Sequence, residues 1–149
     1  MDLYAFKIYM LDVGLLLAMT DLDASVIIDG NRIFTEFKGV LTEQYVLQQM
    51  IAELGVEPYY YTTANSTGEI DFMLQAPGSV IPVEVKAEEN LRAKSLRAFC
   101  EKYHPKQALR FSMQNLKLDD GLLNVPLYLI HRFHDFLHTE TRNDKNGEM

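Results

Sequence analysis

The sequence predicts an α/β fold, and three observations carry that prediction. Two stretches repeat apolar residues at the helical period, three short stretches between them alternate or run apolar as strands do, and turn-forming clusters separate those strands. The chain has 149 residues, 48% of them apolar, enough for one globular domain. We assign that domain to residues 1–138 with its core over 35–113, and expect residues 139–149 to form a polar, disordered tail.

The elements follow in chain order. Phe6 to Asp12 reads as a short strand, followed by an apolar helical turn or two through Met19 with no start signal. A polar stretch from Thr20 to Arg32 leads into a helix predicted over Thr35 to Leu54 and stopped by Gly55, where a left-handed cap is favoured. On this helix Val40, Leu47, Met50, Ile51 and Leu54 form one apolar stripe. Glu43 projects into the middle of that stripe and Gln44 lies at its edge. An ionised carboxylate there is costly unless it is paired or coordinating.

Three strands come next, Glu57 to Thr63, Glu69 to Gln75 and Val80 to Lys86, separated by turns at residues 64–68 and 76–79 and arranged as a meander. Leu91 to Tyr103 reads as an amphipathic helix, with Leu96, Phe99, Cys100 and Tyr103 on one side and Lys94, Arg97 and Glu101 on the other; Pro105 ends it. Gln107 to Met113 reads as a fourth strand. Val125 to Ile130 is an apolar segment of either type, after a turn around Asp119, Asp120 and Gly121.

Charge and composition exclude some functions. A net charge of −7 argues against a protein that coats nucleic acid non-specifically, because such binding draws on Lys and Arg. Residues 86–110 are the exception: seven basic side chains stand there against three acidic ones, a local excess of four positive charges, which leaves −11 elsewhere. Either a solvated helix face or a phosphodiester-binding flank accounts for that segment. The single Cys100 makes no internal disulfide and no secretory leader is visible, so a cytoplasmic location is expected. No apolar run approaches the ~20 residues of a membrane span, so no membrane partner is expected.

The strongest chemical signal is Asp71 followed by Glu84-Val85-Lys86. Side chains alternate along a strand, so Glu84 and Lys86 share one face while Ile81, Val83 and Val85 share the other. A hairpin centred between Pro77 and Gly78 sets Asp71 opposite Glu84 and Glu69 opposite Lys86. Two carboxylates so placed, with β-carbons roughly 4.5–5.5 Å apart, repel unless something neutralises them. A divalent cation does so, and Glu43 from the helix is positioned to join. The plain alternatives are a hairpin with a charged solvent face and a partly exposed glutamate near the helix start.

A helix acid, a strand Asp and a Glu-x-Lys on the next strand resemble the pattern of the PD-(D/E)XK (restriction-endonuclease-like) nuclease superfamily, over about residues 35–113. Ile70 stands where the namesake proline would be. The segments Tyr9 to Leu15, Phe37 to Val46, Gly68 to Phe72 and Pro82 to Ala87 are similar to the carboxy-terminal domain, of unassigned function, of bacterial and archaeal AAA-type ATP-binding proteins. The resemblance implies a mixed sheet flanked by helices. It also implies Mg²⁺ or Mn²⁺ held by Asp71, Glu84 and the Val85 carbonyl with help from Glu43, and Lys86 acting on the attacking water or the phosphate. Lys94 and Arg97 would then meet a DNA or RNA substrate. The other function open to such a domain is a non-catalytic binding or regulatory module serving an ATPase domain or partner. No P-loop motif is present, so no ATPase activity is expected of this chain. Oligomeric state is left open.

Three further candidates are weaker. His131, His134 and His138 have helical spacing but no carboxylate or cysteine framework. Tyr59, Tyr60 and Tyr61 suit base stacking, and equally suit an ordinary strand. Cys100 lies on the apolar side of its helix with no basic cradle, as a core residue does.

Overall fold

The structure, a computed structural model, describes residues 6–20, 32–55, 57–63, 68–87 and 94–137. The element order is α1 (Val13–Met19), α2 (Arg32–Leu54), β1 (Tyr59–Thr62), β2 (Glu69–Ala76), β3 (Ser79–Lys86), α3 (Lys94–Tyr103), β4 (Ala108–Ser112), β5 (Lys117–Asp119), β6 (Leu122–Pro126), a 3₁₀ helix (Leu127–Arg132) and α4 (Phe133–Leu137). The chain is a mixed α/β fold in which one six-stranded sheet, ordered β1-β2-β3-β4-β6-β5, is flanked by helices. The meander β1-β2-β3 is antiparallel, β3 runs parallel to β4 through the α3 crossover, and β4 runs parallel to β6 with β5 folded back on the edge.

Strand alternation sorts the core into two layers. Phe72 and Leu74 of β2, Ile81, Val83 and Val85 of β3, and Leu109 and Phe111 of β4 pack with Val46, Leu47 and Met50 of α2 and with Ile130 and Phe133 beyond β6. A smaller layer joins Ile70 and Ala108 to Leu96 and Phe99 of α3, with Tyr61 and Cys100 packed against it. Ile70 and Phe72 fall in different layers although they are two residues apart, so the regular alternation of β2 is broken between them.

Several expectations are corrected here. Residues 6–10 form no strand. Asp12 is a start signal for α1: its side chain accepts from the Leu15 N–H at 3.0 Å as the N-cap. The predicted helix 35–54 begins earlier, at Arg32, and ends as expected, with Gly55 at φ +60° and its N–H on the Ile51 carbonyl at 2.9 Å. Its buried face is rotated from the expected stripe: Val40 is 53% and Ile51 45% exposed, while Val46 is fully buried and Gln44 only 2% exposed. The side chain of Leu54 lies outside the described ones.

The segment 125–130 divides into the end of β6 and the start of the 3₁₀ helix, and the turn expected at 119–121 joins β5 to β6, with Asp120 at φ +48° and Gly121 at φ +75°. Most of the polar stretch 20–32, most of the 64–68 turn, residues 91–93 of the predicted second helix and the tail 139–149 lie outside the described residues. No described helix is long and apolar enough to cross a membrane.

Candidate functional site

Asp71 owes its position to a break in the ladder. Tyr59 pairs with Met73 and Tyr61 with Ile70, so two steps along β1 answer three along β2, which is a β-bulge at Asp71–Phe72. On the other edge of β2 the pairing with β3 runs from Ala76–Ser79 to Phe72–Val83, in the register centred between Pro77 and Gly78, and ends there. Asp71 then meets β3 through its side chain. Oδ2 accepts the Val85 N–H at 2.7 Å, where a regular ladder would present a backbone carbonyl. The expected backbone pair of Asp71 with Glu84 is thus replaced by a carboxylate set into the seam between the strands.

That carboxylate is under electrostatic strain. Burial, with Glu84 and Glu43 adding negative charge, pushes the Asp71 pKa up to about 7 against the opposing pull of the Val85 N–H and Lys7. Glu84 is more deeply buried, at 5% exposure. One of its oxygens, Oε1, ion-pairs with Lys86 on the same face. The other, Oε2, is buried with no hydrogen-bond partner among the described residues. Across the β3–β4 ladder Glu84 stands beside Arg110, whose pKa is lowered by burial and partly restored by Glu84 and Asp119.

Glu43 sits at the turn of α2 facing the amino-terminal segment. Its Oε1 accepts from Lys7 Nζ at 2.8 Å and from the Tyr9 hydroxyl, and Lys7 also ion-pairs with Glu69 at the start of β2. Burial works against the Lys7 ammonium, but its bonds to Glu43 and Glu69 outweigh that and hold its pKa above the ordinary lysine value. Burial and then Glu43 drive the Tyr9 pKa far up, so this phenol is a proton donor at any working pH. The Tyr9 ring packs on Phe72, 5.9 Å between centroids.

Two glutamines hold this segment in place. Gln44 Oε1 accepts the Met10 N–H at 2.8 Å and Gln44 Nε2 donates to the Met10 carbonyl at 2.7 Å. One turn on, Gln48 Oε1 accepts the Val13 N–H at 2.9 Å and Gln48 Nε2 donates to Asp12 Oδ2 at 2.8 Å. Lys7 and Tyr9 were absent from the sequence-predicted site. The signal available was the i, i+4 repeat of Gln44 and Gln48 beside Glu43, polar residues on a face otherwise apolar.

The remaining candidates are spread apart. Lys94 and Arg97 are exposed on α3, lining a groove of about 1170 Å³ that Arg110 and Asp119 also border. Tyr61 packs edge-on against Phe99 at 5.2 Å and meets the Tyr103 hydroxyl at 3.2 Å, so it serves the α3 layer. Burial raises the pKa of the Cys100 thiol, with Glu101 adding to it. His131 is exposed, whereas the side chain of His134 and all of His138 lie outside the described residues.

Among the described residues no three or more His, Cys, Asp or Glu side chains gather closely enough to hold a metal ion by themselves. What is available is a pair of carboxylates, Asp71 and Glu84, in electrostatic contact, with Glu43 felt by Asp71 and each glutamate already carrying a lysine. The model of one protein family matches residues 38–130; its description is Domain of unknown function (DUF4143). No curated protein and no solved structure matches the chain.

Proposed function

We propose that this chain, which belongs to the DUF4143 family, is a metal-dependent phosphodiesterase with a PD-(D/E)XK nuclease-like core, acting on DNA or RNA through Asp71, Glu84 and Lys86. The observation that carries the reading is the buried Glu84 Oε2, which has no hydrogen-bond partner among the described residues, next to an Asp71 carboxyl strained by burial and by its acidic neighbours. A buried carboxylate oxygen left unpaired is expensive, and a cation relieves it together with the repulsion at Asp71.

The donor set suits Mg²⁺ or Mn²⁺: two carboxylates, with the Val85 carbonyl as a backbone ligand and Glu43 through water, are hard oxygen donors, and Mg²⁺ retains several waters of its own. When bound, such an ion supplies Lewis acidity toward the phosphoryl oxygens and lowers the pKa of water. The chain's own residues do the rest. Lys86, held on Glu84, places an ammonium against the negative charge that develops on the phosphate. Lys94 and Arg97 offer exposed cations to the flanking phosphates.

A second reading is favoured by the two ion pairs: with Lys7 on Glu43 and Lys86 on Glu84, the acids are already neutralised in a chain of net charge −7. On that reading the chain is a non-catalytic module serving an ATPase. One experiment separates them. With Mg²⁺ or Mn²⁺, the purified chain is offered single- and double-stranded DNA and RNA. The first reading expects cleavage that Lys86→Ala lowers by ~100-fold or more while Mn²⁺ binding is kept or tightened, because the ammonium is not a ligand and its removal frees Glu84 Oε1. No metal-dependent cleavage of any substrate gives the second reading; cleavage indifferent to Lys86→Ala overturns the role given to Lys86.

A further inference from the structure

We infer that Lys7 is an internal countercation of the acidic site, its ammonium filling between Glu43 and Glu69 the place that a second divalent cation would take. The centre therefore has room for one divalent ion, at Asp71 and Glu84. That first ion rests on the reading above; the place filled by Lys7 does not.

The geometry begins with two carboxylates brought together by different elements, Glu43 on α2 and Glu69 at the start of β2. A single Nζ bonds both, 2.8 Å from Glu43 Oε1. The side chains of Lys7 and Glu43 are only 20% and 23% exposed, so water screens that pair poorly, while the Glu69 side chain is half exposed. Lys7 also acts on Asp71, lowering the cost of its charge. An ammonium has three donors and no acceptor, and here it makes the contacts that a hard cation would make with the same oxygens.

The position of Lys7 is built. It comes from a segment with no helix or strand of its own, in which both backbone groups of Met10 are satisfied by Gln44 and the start of α1 is tied to Gln48. Those bonds anchor the backbone just beyond the residue from which the Lys7 side chain reaches Glu43 and Glu69. Tyr9 donates to the same Glu43 oxygen and rests on Phe72, fixing the carboxylate from a second direction. A fixed +1 charge at this point leaves no symmetric two-ion clamp around a phosphate, so hydrolysis would proceed with one divalent ion and a lysine on each flank, Lys7 and Lys86.

The test counts ions. Chelator-stripped full chain is titrated with Mn²⁺, free ion being read by electron paramagnetic resonance and binding by calorimetry, for wild type, Lys7→Met, Lys7→Gln and Lys7→Arg. Both neutral variants are expected to bind one Mn²⁺ more than wild type, and Lys7→Arg no more. The added ion should persist when Glu84→Gln is combined with Lys7→Met. No added ion in either neutral variant overturns the inference whatever wild type binds, and so does a wild type that binds two. A wild type that binds none beside a Lys7→Met that binds one supports Lys7 as countercation and overturns the cation site at Asp71 and Glu84. If a neutral variant folds only with Mn²⁺, the ion has replaced the ammonium; failure to fold with Mn²⁺ as without it counts against the inference.

Discussion

Asp71 shows at the scale of one residue how position makes chemistry. A regular strand would have pointed it to one face; the bulge turns it into the seam, where it takes the Val85 N–H and loses most of its water. Its folded pKa of about 7 stands above the ~3.9 of an unfolded aspartate. The sign follows from proton counting: between these values the folded state holds a proton that the unfolded state has released, so stability falls as pH rises through this window and levels off above it. Its contribution is full below about pH 4, and the loss by pH 8 is at most on the order of 4 kcal/mol, at ~1.4 kcal/mol per pH unit. Asp71→Asn keeps an acceptor for Val85 without the charge. In metal-free buffer it should unfold at higher urea than wild type at pH 8, by a smaller margin at pH 5 and by almost none at pH 4. A variant less stable than wild type at pH 8 would mean that the carboxylate is needed for a structural network.

At the scale of elements, strand periodicity was readable and side-chain substitution for backbone partners was not. The meander, the hairpin register and the parity of Glu84 with Lys86 follow from alternation and from the turn at Pro77–Gly78, because a half-buried hairpin has a period of two and one register that buries its apolar face. β6 is buried at four of its five positions between β4 and β5, and such a run carries no period, which is why the segment 125–130 could not be typed from sequence. Residues 6–12 look like a strand because Tyr9 and Met10 are good strand material, yet their partner is a helix side chain. Apolar periodicity found Leu47 and Met50 on the buried face of α2 but set that face too far toward Val40 and Ile51, since a polar residue, Gln44, occupies its other side. Gln44→Ala should leave both Met10 backbone groups unpaired and cost about 1–3 kcal/mol in urea unfolding. The Met10 amide should lose its protection from hydrogen exchange; if it stays protected, the glutamine is not what holds the segment.

At the scale of the whole molecule, charge sets a ceiling on any nucleic-acid contact. The sequence shows an excess of basic residues over 86–110, but the fold withdraws part of it: Lys86 is committed to Glu84 and Arg110 stands half-buried beside the same glutamate, while Lys102 stays exposed over the Tyr103 ring at 4.8 Å. Lys94, Arg97 and Lys106 are exposed, in a chain that carries −7 overall. Two or three neutralised phosphates predict a slope of log K against log salt of roughly −1.4 to −2.7, at ~0.7 per phosphate for single strands and ~0.9 for duplex. Arg97→Ala should weaken binding to all sequences alike and flatten that slope by about 0.7–0.9, because a phosphate contact carries no base readout. Fluorescence anisotropy of labelled single- and double-stranded oligonucleotides across a KCl series, with Ca²⁺ replacing Mg²⁺, measures both quantities. A slope steeper than about −5 would require more cations than the exposed ones of this face supply, and would place the nucleic acid elsewhere on the molecule. A slope near zero would remove nucleic acid as the substrate and leave the acidic site to another phosphodiester or to a protein partner.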